Sequence, residues 1–354
     1  MENTSRISRL KYLMEGEAAY LPLLEYLMRE EKKGFSFSVK MEEKIQRIRL
    51  GGIARNGIFL REYREIMKNL EKTGVKAILL KGLSMENLYP DGIRTFCDID
   101  LLVKKEDMGK TGRVLNRLGY AGNVEPRPGA IDIRKTAGYM KKGRIPLMVE
   151  CHYRLGPCPY MDRITTSSLL RDAREVEIGN RKTLVLSCED LLIHLALHIF
   201  SHIPDPCVIS ACDIRQLVKY RGVMIDWEVF LSKVERHGLS MPVRYAFQQA
   251  EKFFDIPFPG YVGERLASLK KGRKERLIFS LLCSGKSMAV NLGKFSFGLR
   301  TVKKIQLIFY MLFPSRRYLL HKYPEASRHI FFSLYLKHVK ENALFAFSWI
   351  FSHL

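Results

Sequence analysis

Two aspartates, Asp98 and Asp100, lie two residues apart within the apolar run FCDIDLLV at residues 96–103. Side chains alternate along a β-strand, so both carboxylates share one face while Ile99 and Leu101 share the other. Carboxylates this close repel each other unless a cation or a proton lies between them. The run therefore predicts a buried strand whose acidic face holds a cation, and Mg²⁺ is the cation that carboxylates usually share with phosphates.

A third carboxylate, Glu150, lies in a second predicted strand, IPLMVECHYRL at residues 145–155. If this strand neighbours the first one, Glu150 joins the two aspartates, and three carboxylates on adjacent strands can hold two metal ions. A solvent-facing strand position is the alternative for all three acids. His152 shares the face of Glu150, and it either contacts the site or lies on the surface of the sheet.

The segment before the aspartates has the features of a phosphate-binding turn. The apolar run VKAILL at 75–80 predicts a strand, after which Gly82 and Ser84 open a short helix. Backbone N–H groups at the start of a helix bind phosphate well. Lys81 and Arg94 supply cations close by. The place of Lys81 beside Gly82 favours contact with phosphate over the alternative of a solvated loop lysine. This arrangement of strand, turn, helix and D-x-D strand predicts nucleotide binding.

These residues carry a resemblance to a known family. The string ILLKGLSMENLYPDGIRTFCDIDLLVKKED at 78–107 resembles an uncharacterised bacterial nucleotidyltransferase family with the pattern L-K-G…L-Y-P…R…D-I-D-L-L-V. That family is of the polymerase-β type, in which a Gly-Gly/Ser turn precedes D-x-D on the next strand. The likeness continues through VECHYRL at 149–155 and LSCEDLLIHLALHIFSH at 186–202, and on to Asp213.

The resemblance implies an activity and a set of roles. It implies transfer of a nucleoside monophosphate from a nucleoside triphosphate such as ATP to an acceptor hydroxyl, with release of pyrophosphate and with Mg²⁺ or Mn²⁺ as cofactor. Asp98 and Asp100 would be metal ligands. Glu150 would be the third carboxylate or the general base. Gly82 and Ser84 would lie at the triphosphate.

The implied fold class is α+β, with a small mixed β-sheet nucleotidyltransferase core between helical regions. Residues 1–74 read as an N-terminal helical region, and residues 75–183 as the nucleotidyltransferase core. Residues 184–258 read as a helical region that completes the cleft, and residues 259–354 as a basic, aromatic-rich helical region.

Three histidines, His194, His198 and His202, recur every four residues and therefore share one helix face. Such spacing can bind zinc, but neither glutamate nor cysteine completes an obvious site. The sequence favours a helix face packed near the active site, with His198, His202 and Asp213 as residues that line it.

The net charge of +22 favours anionic partners, and it is concentrated at one end. Residues 261–354 contain 17 Lys and Arg against 4 Asp and Glu. Solvated helices, a face for an anionic membrane surface and an RNA-binding platform are all compatible with this region. No RNA motif is present, so nucleic acid ranks last. An alternative function follows, that of a non-catalytic protein with this fold that docks on an anionic membrane or partner.

The seven cysteines form no CxxC pair, and their odd number argues against a disulfide framework. The first residues lack the apolar core of a signal peptide, and no apolar run is long enough to span a bilayer. The sequence therefore predicts a cytoplasmic protein, with peripheral membrane contact left open.

Overall fold

The computed structural model describes most of the first three quarters of the chain. The described residues are 20–30, 37–122, 136–155, 160, 163–203 and 207–269, followed by 276, 279, 316, 319, 332–337 and 339–340.

Helices dominate both ends of the described part, and strands fill the middle. The α-helices are α1 Leu21–Glu30, α2 Val39–Glu71, α3 Met108–Arg117, α4 Thr166–Asp172, α5 Cys188–Ser201, α6 Val208–Arg221, α7 Trp227–Arg236, α8 Ser240–Phe253 and α9 Gly260–Ser268. A 3₁₀ helix spans Gly82–Leu88. The strands are β1 Ala77–Leu79, β2 Asp98–Val103, β3 Ala121–Gly122, β4 Thr136–Lys141, β5 Leu147–His152, β6 Arg174–Glu177 and β7 Lys182–Val185.

The strands form one mixed sheet in the order β3-β4-β5-β2-β1-β7-β6. Strand β2 runs parallel to β5 and antiparallel to β1, so it is paired on both edges. Strands β4 and β5 form an antiparallel hairpin, in which Lys141 pairs with Leu147. The D-x-D strand therefore lies at the centre of the sheet, where its backbone is held from both sides.

The two faces of the sheet pack against different helices. Ile99 and Leu101 of β2 belong to a hydrophobic cluster with Phe59 and Tyr63 of α2. Leu102, on the opposite face, belongs to a cluster with residues of α1 and α5–α8. Side chains at even positions of β2 share one face, so Asp98 and Asp100 lie on the face that the α5–α8 helices cover.

Helix α5 is the most deeply buried helix on that face. Nearly all of its residues are buried, because leucine, isoleucine and alanine surround its axis. A helix that is apolar on all sides belongs in a core. Its start is fixed by Ser187, whose side-chain oxygen accepts a hydrogen bond of 3.1 Å from the backbone N–H of Asp190.

Helix α2 makes a close backbone contact with the turn that leads into β2. Gly92 has a φ of +73°, and a Cβ on this residue would lie 2.4 Å from the carbonyl oxygen of Arg49. From the helix side, a Cβ on Gly52 would lie 3.0 Å from the carbonyl oxygen of Gly92. Glycine is needed at 92 both for its positive φ and for the approach of the helix.

The predicted fold class is confirmed, since a mixed sheet lies between helical regions. The bounds of the four predicted regions stay predictions. No helix among the described residues is both long and apolar enough to cross a membrane. Most of the basic region 259–354 lies outside the described residues beyond 269, so its proposed membrane and RNA contacts stay predictions. The five cysteines of the described part are free thiols.

We expect Gly92→Ala to destabilise the fold. A non-glycine residue at this φ costs about 1–3 kcal/mol in backbone strain, and the contact with the Arg49 carbonyl adds to that cost. Gly51→Ala is the matched control, because a Cβ at Gly51 meets nothing within 4 Å. Alanine in that helical position is expected to stabilise by about 0.5–1 kcal/mol. Urea unfolding of both variants tests this, and a Gly92→Ala protein as stable as wild type would contradict it.

Candidate active site

Asp100 is the most deeply buried member of a cluster of charged groups on the α5–α8 face of the sheet. Only 1% of its side chain is exposed. The Nζ atom of Lys81 lies 2.5 Å from Oδ2, and Nε2 of His152 lies 3.2 Å from Oδ1. Burial opposes the charged carboxylate, but the positive charge of Lys81 and the bond to His152 outweigh it and lower the pKa of Asp100. Asp100 is thus an anion with a cationic partner on each oxygen.

Asp98 lies two residues earlier on the same face and is closer to solvent. Its side chain is 26% exposed, and its Oδ2 atom lies 3.9 Å from Nζ of Lys81. Burial, together with the negative charge of Asp100, raises the pKa of Asp98 to about 6. The pair thus consists of a deep carboxylate that is held as an anion and a shallower one that gains a proton more easily.

Strand β5 brings a third carboxylate to the site. In the parallel register, Asp100 lies opposite Glu150, and Leu102 lies opposite His152. Nε2 of His152 also lies 3.5 Å from Oε2 of Glu150. Burial alone would lower the pKa of His152, but hydrogen bonds to Asp100 and Glu150 outweigh it and raise the pKa to about 9.

Lys81 follows β1 and opens the turn into the 3₁₀ helix. The backbone N–H of Leu80 donates to the carbonyl oxygen of Asp100 at 3.0 Å, which places Lys81 beside the acidic strand. Burial would lower the pKa of Lys81, but the charges of Asp100 and Asp98 outweigh it and raise that pKa. The lysine is therefore a built-in counter-ion of the two aspartates in this structure.

The turn itself has two features that suit a phosphate. Gly82 has a φ of +68°, a backbone conformation that side chains other than glycine rarely adopt. Ser84 is buried, and its hydroxyl has no hydrogen-bond partner among the described residues. Both residues lie within three positions after Lys81, in the predicted phosphate-binding turn.

Arg94 and Asp213 form a separate buried ion pair. Nε and Nη2 of Arg94 lie 3.3 and 3.2 Å from the two carboxylate oxygens of Asp213, and the hydroxyl of Tyr89 donates to Asp213 at 2.8 Å. The pair ties the loop before β2 to helix α6. The predicted contact of Arg94 with phosphate stays a prediction, and both ends of its guanidinium are already engaged with protein.

The histidines of α5 form a row that runs from the core outward. His194 is buried, and His202 at the end of the helix is exposed. Between them, Nδ1 of His198 lies 2.8 Å from the Ser210 hydroxyl, and its ring is centred 4.7 Å from that of His202. Lys81 and Asp100 both act electrostatically on His194 and His198. The row thus begins near the carboxylates.

A set of ligand atoms suited to a metal ion is present at this point. Asp100, Glu150 and His152 each offer one ligand atom, and these atoms lie within 4.8 Å of one another. The sequence predicted Asp98, Asp100 and Glu150 as the ligand set and His152 only as a lining residue. The parallel register brings His152 into the cluster, because side chains two positions apart on β5 share a face.

The structure therefore brings together most of the predicted site residues. Lys81, Asp98, Asp100, Glu150 and His152 form one cluster; Gly82 and Ser84 continue from it. Arg94 and Asp213 pair with each other, and His198 and His202 extend along α5. The catalytic, phosphate-binding and metal-binding roles of these residues stay predictions. His194 was recognised only as part of the histidine spacing and was not predicted as a site residue.

A mixed sheet with a D-x-D strand at its centre, a glycine turn before it and a third carboxylate beside it is the arrangement of a nucleotidyltransferase. A family model described as an uncharacterised nucleotidyltransferase matches residues 17–255. The chain belongs to this family of nucleotidyltransferases, and it is therefore a transferase enzyme. The family resemblance drawn from residues 78–107 is confirmed.

Several solved structures are similar to the chain at low sequence identity. The antibiotic-resistance factor ANT(2'')-Ia is 15% identical with a TM-score of 0.38, covering 55% of this chain and 97% of its own. The lincosamide antibiotic adenylyltransferase LnuA, bound to lincomycin, is 18% identical with a TM-score of 0.32. The match covers 44% of this chain and 94% of LnuA. An antigenic nucleotidyltransferase-like protein from Paracoccidioides brasiliensis is 13% identical with a TM-score of 0.34. The match covers 60% of this chain and 94% of the other. No curated protein sequence matches the chain.

We expect Lys81→Met to make stability depend on a divalent cation. Removing the ammonium leaves Asp100 buried with two further carboxylates nearby, and breaking a buried ion pair costs about 3–5 kcal/mol. An added cation that binds only the folded protein offsets this cost. The melting temperature of the variant should therefore be low without metal and rise more steeply with Mg²⁺ than that of wild type.

Lys76→Met is the matched control, since Lys76 is an exposed lysine just before β1. Its stability and its response to Mg²⁺ should equal those of wild type. A Lys81→Met protein that is as stable as wild type, or that ignores Mg²⁺, would show that the lysine does not balance the aspartates.

Proposed function

We propose that this nucleotidyltransferase moves a nucleoside monophosphate from a nucleoside triphosphate to an acceptor hydroxyl, with Asp98, Asp100 and Glu150 as its catalytic carboxylates. One observation carries the proposal. Asp100 lies opposite Glu150 on adjacent parallel strands, and Asp98 shares their face. Three carboxylates close to a buried lysine suit this reaction, because they can bind a divalent cation next to a triphosphate.

The ligand chemistry of the cluster fits a divalent cation. Carboxylate oxygens of Asp100 and Glu150 suit Mg²⁺, and the imidazole of His152 in the same set makes Mn²⁺ equally acceptable. A bound divalent cation would neutralise negative charge on the phosphates and polarise the α-phosphoryl group. His152 must lose its proton before its Nε2 atom can act as a ligand, so metal binding through His152 would release a proton.

The chain's own groups supply the binding of the triphosphate. Lys81 is close enough to both aspartates to stay beside them while its ammonium donates to a phosphate oxygen. Gly82 turns the backbone so that the N–H groups of the 3₁₀ helix can face an anion. The Ser84 hydroxyl has no partner among the described residues to give up. These groups favour the donor nucleotide at the turn before β2.

Glu150 is the group best placed to accept the proton of the acceptor hydroxyl. In the reaction, the acceptor oxygen forms a bond to the α-phosphorus, the bond from that phosphorus to the bridging oxygen breaks, and pyrophosphate leaves. The acceptor proton goes to a base. His152 is a poor base at neutral pH because its pKa of about 9 keeps it protonated. Glu150, whose side chain is 37% exposed, is the carboxylate that an incoming hydroxyl can reach.

Two classes of acceptor suit this site. Both a small-molecule hydroxyl and a macromolecule such as an RNA or a protein side chain fit the chemistry. The net charge of +22 favours an anionic macromolecule over a small neutral acceptor. ATP is the donor to test first, followed by the other nucleoside triphosphates.

The proposal is tested by following two labels in parallel. Each nucleoside triphosphate, labelled at the α- or the γ-phosphate, is incubated with the protein, Mg²⁺ and a cell extract separated into small-molecule and macromolecular fractions. We expect the α-label to enter an acceptor while the γ-label leaves in pyrophosphate. Asp100→Asn should reduce transfer at least about 100-fold, since it removes charge that is worth several kcal/mol at a metal site.

Glu106→Gln is the matched control for loss of a carboxylate, because Glu106 is exposed just beyond β2. Its transfer rate should equal that of wild type. Transfer of the γ-label to an acceptor would instead identify a kinase, and α-label transfer that Asp100→Asn retains would remove the aspartates from the mechanism.

A further inference from the structure

His194 is a buried histidine whose ring has no hydrogen-bond partner among the described residues. It is only 7% exposed, and neither Nδ1 nor Nε2 is bonded. Buried polar groups are nearly always hydrogen-bonded, and leaving one unpaired costs about 1–3 kcal/mol. An aliphatic side chain at this position in α5 would avoid the free-energy cost of burying an unpaired polar group. The imidazole is therefore expected to have a function.

The position of His194 relates it to the candidate active site. Helix α5 covers the sheet face that carries Asp100, and its residues pack in one cluster with Leu80 and Leu102, the neighbours of that face. Lys81, Asp100 and His152 are the charged groups that act on the His194 ring. His194 therefore belongs to the helix that covers this face, and the charges of the cluster act on its ring.

The next histidine along the same helix face is a useful comparison. His198, one turn further on, has its Nδ1 atom 2.8 Å from the Ser210 hydroxyl. Helix α6 thus provides a partner for His198, whereas no described residue provides one for His194. Of these two histidines, only His194 lacks a partner in the part of the chain that the structure describes.

The charge state of His194 indicates what it can bind. Burial and the positive charge of Lys81 lower the pKa of His194 to about 3, so the free protein holds a neutral ring with one N–H donor. The Ser84 hydroxyl and the Lys81 ammonium are further donors in this region. The His194 ring and the Ser84 hydroxyl have no partner among the described residues, whereas Lys81 already donates to Asp100. A phosphate chain is rich in acceptor oxygens and therefore fits these donors.

We propose that His194 donates a hydrogen bond from its imidazole to a phosphate oxygen of the bound nucleoside triphosphate, opposite the turn of Gly82 and Ser84. The inference rests on the proposed function for the identity of the anion. It extends the site, because it adds a group from the helical layer to a triphosphate site otherwise built from the sheet and its turn. The ligand is thereby held from two layers of the fold.

The test compares stability with ligand affinity in His194→Leu and His194→Gln. Calorimetry measures binding of each Mg·NTP and of Mg·tripolyphosphate, which has no base or sugar. His194→Leu should melt at or above the wild-type temperature, because it removes an unpaired polar group. It should bind both ligands about tenfold more weakly, the equivalent of one hydrogen bond to a charged group. His194→Gln keeps an N–H donor and should recover most of that affinity.

His237→Leu is the control for loss of a histidine, since His237 lies at the end of α7, away from the carboxylates. It should bind as wild type does. If His194→Leu does not fold, ring-¹⁵N-labelled wild type replaces it, with the His194 resonances assigned from the His194→Gln spectrum. These resonances should shift when Mg·tripolyphosphate is added.

The outcomes separate the inference from the proposed function. Wild-type affinity in His194→Leu, or unmoved His194 resonances, overturns the inference, and loss of binding in Asp98→Asn/Asp100→Asn would then still support the function. Weaker binding in His194→Leu with full binding in the double aspartate variant supports the inference and overturns the function. Absence of binding of every Mg·NTP and of Mg·tripolyphosphate to wild type overturns both.

Discussion

The buried charge of Asp100 is the constraint on which the rest of this structure depends. An ionised carboxylate that is 1% exposed on a central strand would be costly if it were unpaired. Lys81 and His152 make it tolerable by occupying its two oxygens from the strands on either side. Strand β2 is therefore held by backbone pairing and by ionic contacts at the same place. A change in the register of β5 by one residue would turn His152 and Glu150 to the opposite face and leave Asp100 with Lys81 alone.

The helical layers fix the chain on both sides of this pair. Helix α2 contacts the turn before β2 through Gly92, and the buried pair of Arg94 and Asp213 ties the same loop to helix α6. The start of the D-x-D strand is thus anchored to helices on both faces of the sheet. Such anchoring suits a site that works mainly by positioning charges, because catalysis of this kind requires groups that do not need to reorganise.

Much of this arrangement could be predicted from local sequence. The period of two along a strand places Asp98 with Asp100, and it places Glu150 with His152. The family pattern adds the turn of Gly82 and supports the mixed sheet, and both the fold class and the family are confirmed. These features are predictable because they depend on neighbours in sequence or on a pattern shared by the whole family.

The rest depends on tertiary contacts. The register of β2 and β5 determines that His152 joins the carboxylates. The packing of α6 determines that Arg94 forms an ion pair with Asp213 at 3.2 Å instead of facing solvent from the loop. That no described residue bonds the His194 ring depends on how several elements pack around it, and no spacing in the sequence encodes it. The histidine repeat of α5 marked the helix face, but only the fold distinguishes His194 from His198.

We propose that the two aspartates hold a divalent cation together with the nucleotide. Equilibrium dialysis of Mn²⁺ against the protein, with and without each nucleoside triphosphate, measures this binding and does not require the acceptor. Wild type should retain Mn²⁺ more strongly when a nucleoside triphosphate is present, and folded Asp98→Asn/Asp100→Asn should not. Equal retention by the two proteins, or no retention by wild type with any nucleotide, would contradict it.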